Sequence, residues 1–215
     1  MGTLIAVCRV HQLLPDAGTV GTTAIDKRPV EGPVRVRALG AYGDVQADRY
    51  DHGGRDKALY AYAQEAADRW VAELEREVPP GLFGENLRTA GVDVDGAEVG
   101  ERWRIGTGDD ALEVEVTMPR TPCATFARRM GEERWVRRFT RSGAPGAYLR
   151  VLRPGTVSAG DPVEVLSRPG HGVGVGRWLV HADPVDARTL LACAVDGGVD
   201  LAPDMREVVE AVARR

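Results

Sequence analysis

Cysteine is scarce. The 215 residues hold three, at positions 8, 123 and 193, with no C-x-x-C pair and no zinc spacing among them. That excludes a disulfide scaffold and a cysteine-held iron–sulfur cluster, and fits a reducing, cytoplasmic setting. Long apolar runs are missing too. Nothing approaches the roughly 18 residues needed to span a bilayer, so no membrane partner is expected. The opening MGTLIAVCRV is apolar, but it lacks a basic flank, a cleavage site and the Ser or Thr of a myristoylation motif; it reads as a strand. Positive charge is not in excess. Lys and Arg number 28 against 32 Asp and Glu, a formal net charge of -4, which argues against nucleic acid as a partner and leaves only local basic patches for small anions.

What is plentiful is turn chemistry: 26 glycines and 13 prolines spread along the chain, as in a protein of many short strands. Strand candidates are TLIAVCRV, GPVRVRALG, RWRIG, ALEVEVTM, AYLRVLRPG and DPVEVLS. In ALEVEVTM, Leu112, Val114, Val116 and Met118 share one face and Glu113 and Glu115 the other. GTGDD before it is a hairpin turn by composition. One long helix is predicted from Lys57 to Glu77, with Leu59, Ala63, Ala66, Trp70 and Leu74 at helical spacing and Pro79–Pro80 as its stop. A second is predicted from Cys123 or Ala124 to about Phe139, weakened by Gly131. The fold class is therefore mainly β with inserted helices (α+β), a barrel rather than a doubly wound sheet. Composition shifts at SRPGHGVGVGRWL; beyond it Asp183–Pro184 and Pro203–Asp204 open short helices. The expected division is a β-barrel over 1–168 and a small helical domain over 169–215.

Several stretches can carry chemistry, each with a plainer alternative. YGDVQADRYDHGGRDKALYAY is dense in charge, and a Gly-Gly turn opening a helix would leave N–H groups, with Arg55 and Lys57, to hold an anion; the alternative is a solvated loop with Asp56 as a cap. His52 among aspartates suggests a metal cluster, but one histidine is too few. In GLFGENLRTAG, Glu85 and Asn86 can bond a heterocycle edge or simply cap a turn. In TMPRTPCATFARRM, Cys123 stands before a helix, behind Arg120 and near Arg128 and Arg129; the dipole and the arginines favour its thiolate, a nucleophile or a soft metal ligand. A buried small residue is the alternative, and it suits Cys8 and Cys193 better. RRMGEERWVRRFTR carries six arginines, either lining a channel for an anionic substrate or forming a solvated face.

Taken in order, TAIDKRPVEGPVRV, GDVQADRYDHGGRDKALYAY, GLFGENL, PRTPC and AYLRVLRPGTVSAGDPVEV resemble a MOSC domain, the C-terminal domain of molybdenum cofactor sulfurases, and in particular its bacterial stand-alone YiiM-like group. The tail, from VGRWLVHADPVDARTLLACA to MREVVEAVARR, resembles the three-helix domain that follows MOSC in that group. The resemblance runs from about residue 20 to the end and rests on the order of motifs, each weak alone. It implies a MOSC-type β-barrel binding a molybdenum–molybdopterin cofactor, with Cys123 as metal ligand and catalytic residue. His52, Gly53 and Gly54, and Gly84, Glu85 and Asn86, would lie against the cofactor, with Arg120 and Lys57 on its phosphate or pterin. The implied activity is reduction of small N-hydroxylated compounds of hydroxylaminopurine, amidoxime or hydroxylamine type. An external electron donor, a flavoprotein reductase or ferredoxin-type protein, would serve it, with the basic run 128–141 as its docking face or as a substrate gate. Two alternatives stay open: a sulfur carrier or sulfurtransferase with a Cys123 persulfide, and a specialised biosynthetic enzyme using the same pocket.

Overall fold

The computed structural model describes residues 1–48 and 53–215. The chain begins with strand β1 (Gly2–Val10), a small hairpin of β2 (Leu14–Pro15) and β3 (Thr22–Thr23), then β4 (Lys27–Pro29), β5 (Val34–Arg37) and β6 (Gly40–Ala41). A single 3-10 turn (Arg55–Lys57) leads into β7 (Leu59–Ala63), α1 (Gln64–Leu74) and β8 (Leu87–Ala90). Then come β9 (Arg102–Ile105), β10 (Leu112–Pro119), α2 (Ala124–Met130), α3 (Trp135–Ser142), β11 (Ala147–Arg153), β12 (Gly155–Val157) and β13 (Pro162–Ser167). Helices α4 (Val175–His181), α5 (Pro184–Val195) and α6 (Pro203–Ala213) finish the chain.

Among the described residues, seven strands close a ring in the order β13, β9, β10, β11, β7, β8, β1, with β1 pairing back to β13. Every neighbouring pair in the ring is antiparallel except β7 with β8. Parallel strands need a crossover, and α1 supplies it. In β10 the alternation holds: Leu112, Val114, Val116 and Met118 are buried, while Glu113 meets Arg104 and Arg153, and Glu115 meets Arg102, on adjacent strands. Such cross-strand pairs help set register on the more polar face.

The helix predicted from Lys57 to Glu77 is corrected at its start. Leu59–Ala63 is a strand, and the helix begins at Gln64. All five residues of β7 are buried, so no polar alternation marks it and its apolar residues merge with the helical periodicity of Ala66 and Trp70. The helix predicted from Cys123 or Ala124 to Phe139 is two helices, because Gly131 takes a left-handed φ of 68° and ends α2. The tail behaves as its caps dictate: Asp183 accepts N–H bonds from Val185 and Asp186 ahead of α5, and Pro203 opens α6.

The chain's few aromatic residues are concentrated. Tyr62, Trp70, Phe83, Phe126, Trp135 and Phe139 pack ring against ring where α1, α2 and α3 cover one end of the barrel. The hydrophobic core continues from the barrel through Val173 and Trp178 to Leu190, Met205 and Val209 of the tail. Gly146 ties this end together. At φ 69° it lies against β7, where a Cβ would collide with the Ala61 carbonyl oxygen.

Candidate functional site

A cavity of about 480 Å³ opens beside the barrel, a size suited to a small ligand or cofactor. Its walls come from the β2–β3 hairpin and the segment after it, the loop at 44–48, the start of β7, the turn at 83–86, the junction of β10 with α2, and Tyr148 on β11. Gly84, Asn86, Lys57, Arg120 and Cys123, dispersed along the sequence, all line it.

Cys123 is the N-cap residue of α2, extended at φ -120° and ψ 173°, and its carbonyl accepts the N–H of Ala127. Its side chain is half-buried on the cavity wall. Arg120 is only 5% exposed, yet its Nη1 has no hydrogen-bond partner within the protein. Its guanidinium carbon lies 3.9 Å from the ring centre of Phe126 and 5.8 Å from that of Tyr60. A buried cationic donor left unmatched is costly, and an anionic or acceptor-rich ligand in the cavity would relieve that cost. Tyr60 and Tyr148 flank it with ring centres 5.5 Å apart. Burial raises both phenols above their ordinary pKa, against the opposing charge of Arg120, so Tyr148 stays protonated and faces the cavity as a neutral group.

The polar floor is cross-braced. Asn86 Oδ1 accepts the Tyr60 N–H, and its Nδ2 donates to the Cys8 carbonyl and, at 2.7 Å, to Asp44 Oδ2. Asp44 also accepts the Val10 N–H at 2.8 Å and pairs with Lys27. Asn86 thereby joins β1, β7 and the 44–48 loop while facing the cavity. Glu85 is placed differently. It does not line the cavity; it is fully buried, accepts the N–H groups of Gly81 and Phe83, and pairs with Arg88. Gly53 and Gly54 lead into the 3-10 turn rather than a helix, and the Gly54 N–H is taken by Gln46 Oε1 at 2.9 Å. His52 lies outside the described residues. Lys57 lines the cavity and pairs with Asp204 of α6.

The hairpin is latched over one side. Asp16 accepts from Arg128 Nε at 2.9 Å and Nη2 at 2.6 Å and from Thr125 Oγ1 at 2.9 Å. The Arg128 hydrogen bond is the main reason its carboxyl falls to a pKa of about 2. Arg129 reaches back to Asp26 at 2.6 Å, and Arg138 binds Glu73 and Glu132. Half of the arginine run is thus structural. Burial pushes the Cys8 thiol to a pKa of about 12, so Cys8 is the inert small residue its apolar strand suggests.

Among the described residues no group of three or more His, Cys, Asp or Glu side chains is placed to hold a metal ion. The cavity itself presents Cys123 as a soft donor amid cationic side chains. Tyr60, Tyr148, Lys27 and Asp16 were not legible as site residues. The tyrosines sit in strand segments where an aromatic is ordinary, and Asp16 acts through a partner 112 positions away. No helix among the described residues is long and apolar enough to cross a membrane.

Seven closed strands with a cavity beside them define a β-barrel protein with a pocket of small-ligand size, and the chain belongs to the MOSC domain family, whose model matches residues 48–164. Among its relatives, YflK of Bacillus subtilis is 38% identical over 170 residues, covering 79% of this chain and 75% of that one. A protein of Gibberella moniliformis named "Reductase" is 35% identical over 151 residues; these are 69% of this chain but 26% of that longer protein. The crystal structure of YiiM from Geobacillus stearothermophilus superposes with a TM-score of 0.77 at 24% identity, over 98% of each chain, and has the same fold.

Proposed function

We propose that this chain holds the molybdenum cofactor in the cavity lined by Cys123 and Arg120 and reduces small N-hydroxylated compounds of hydroxylaminopurine, amidoxime or hydroxylamine type, drawing electrons from an external flavoprotein reductase or ferredoxin-type donor in the cytoplasm. The observation that carries this reading is Arg120: a buried guanidinium with an unmatched Nη1, on the same wall as Cys123. The residues fit the group. Arg120, with Lys57, would hold its anionic or acceptor-rich part, Gly84 and Asn86 would lie against it, and Cys123 would offer a thiolate to the metal. When bound, the cofactor supplies two-electron redox chemistry, the nitrogen-bound oxygen leaving as water with two protons and two electrons consumed. The chain's own part is positioning. The extended backbone at Cys123 presents its sulfur to the cavity, and Tyr148 keeps a phenolic proton there. The relative named a reductase supports reductive chemistry. The division into a barrel over 1–168 and a helical unit over 169–215 belongs to the same reading.

The test is metal content. The protein is expressed in cells with and without molybdenum-cofactor synthesis and analysed by elemental mass spectrometry. The expected result is stoichiometric molybdenum in the first case and none in the second, with loss of the metal in Cys123→Ser. Metal-free protein carrying a persulfide on Cys123 would overturn the proposal in favour of sulfur transfer. Reduction of a model amidoxime by the loaded protein with an artificial donor is the second measurement.

A further inference from the structure

A second pocket, about 310 Å³, lies where the barrel meets the tail. Met118 and Pro119 of β10, Trp178 and Leu179 of α4, and Met205 and Val208 of α6 form a largely carbon lining. Lys57 and Tyr148 belong to the walls of both pockets. One short stretch of chain serves both: Met118, Pro119 and Thr121 line this pocket, while Arg120 and Cys123 line the first cavity. Lys57 pairs with Asp204 of α6 beside this pocket, linking the 3-10 turn to the tail.

We infer that the small pocket receives the apolar body of the substrate, an aryl or alkyl group, while the N-hydroxylated group attached to it is presented on the Cys123 side; this rests on the function proposed above. Lys57 and Tyr148 line both, so the two pockets adjoin, which argues for a ligand that reaches from one to the other. The lining argues for hydrocarbon over a base rich in hydrogen-bonding edges, because Thr121, Asp204 and the two shared residues are its main polar contributors. The room suffices, since a dry cavity of about 150 Å³ already holds a benzene ring. The helical tail, which contributes Trp178, Leu179, Met205 and Val208, is then a determinant of substrate choice.

The full chain, isolated without metal, is titrated with 4-fluorobenzamidoxime followed by fluorine NMR, and with acetamidoxime as the small competitor. Val208 is 49% exposed, so Val208→Trp can fill the pocket without crowding the core, and thermal unfolding checks that it folds. Should it unfold, Leu179→Gln is the second variant. The expected result is saturable binding of the aryl probe that falls at least about tenfold in the variant, with acetamidoxime a poor competitor. Equal affinity for the two amidoximes, no saturation, or an unaltered aryl affinity in the variant would overturn the inference. The outcomes separate the two proposals. Aryl binding lost in Val208→Trp by a protein that never takes up molybdenum keeps the pocket and removes the reductase reading. A molybdenum-loaded protein that reduces both amidoximes alike, before and after the substitution, does the reverse.

Discussion

Arg88 and Arg120 are both buried arginines, and they sit in two regions of different design. At the closed end, Arg88 is fully buried and fully engaged: Nε bonds Glu85 at 2.9 Å, Nη2 pairs with the same carboxylate, and the remaining donors reach Gln64 and the carbonyls of Val78 and Pro79. At the cavity wall, Arg120 is stacked on Phe126 but keeps a donor unmatched. Phe126 belongs to both regions, packing against Phe83, Trp135 and Phe139 on one side and supporting the guanidinium on the other. Burial is common to these two arginines, and the satisfaction of their donors separates them.

The strongest attack on this contrast is Arg88→Met. It strands the Glu85 carboxylate in the interior and is expected to cost about 3–5 kcal/mol in urea unfolding. A loss under about 1 kcal/mol would mean the closed end does not depend on the pair.

A smaller effect concerns Asp95, which bonds the Gly146 N–H at 3.0 Å in the closed end. Burial raises its carboxyl from 3.8 to about 6, against that hydrogen bond and the charge of Arg69. The folded state then binds more protons than the unfolded state between these two values, so this group's contribution to stability falls as pH rises from about 4 to about 6 and is level above. Asp95→Asn removes the slope. Over that window the difference between wild type and variant should change by about 2 kcal/mol, read from denaturation midpoints at successive pH values. A constant difference would show that the carboxyl titrates normally.

The smallest stability effect is expected at Arg120→Met. With one donor already unmatched, its removal should change unfolding free energy by no more than about 1 kcal/mol, while molybdenum content in cofactor-replete cells drops to the level of Cys123→Ser. A destabilisation as large as that of Arg88→Met would erase the distinction between the two regions.

Much of this was legible beforehand, for identifiable reasons. The strands over β1, β5, β9, β10, β11 and β13 show themselves because each contains alternating or apolar β-formers between glycines and prolines. Cys123 stood out because its neighbours are Pro122 and Thr121 rather than an apolar run. Strand β7 was hidden because both of its faces are buried. Glu85 and Asn86 are adjacent in one motif and looked equivalent. The chain bends at 83–86 before β8, and there Asn86 reaches the cavity floor while Glu85 reaches the Arg88 guanidinium.

By itself the amino-acid sequence determined the barrel class, the capped helices of the tail and the family, because periodicity, caps and motif order are properties of neighbours along the chain. Only the tertiary structure decided that Tyr60, Arg120 and Tyr148 converge, that Asp16 latches onto Arg128, and that Lys57 stands between two pockets. Those arrangements depend on closing the ring from β13 to β1 and seating the tail against it, and ring closure brings together residues whose separation along the chain carries no local signal.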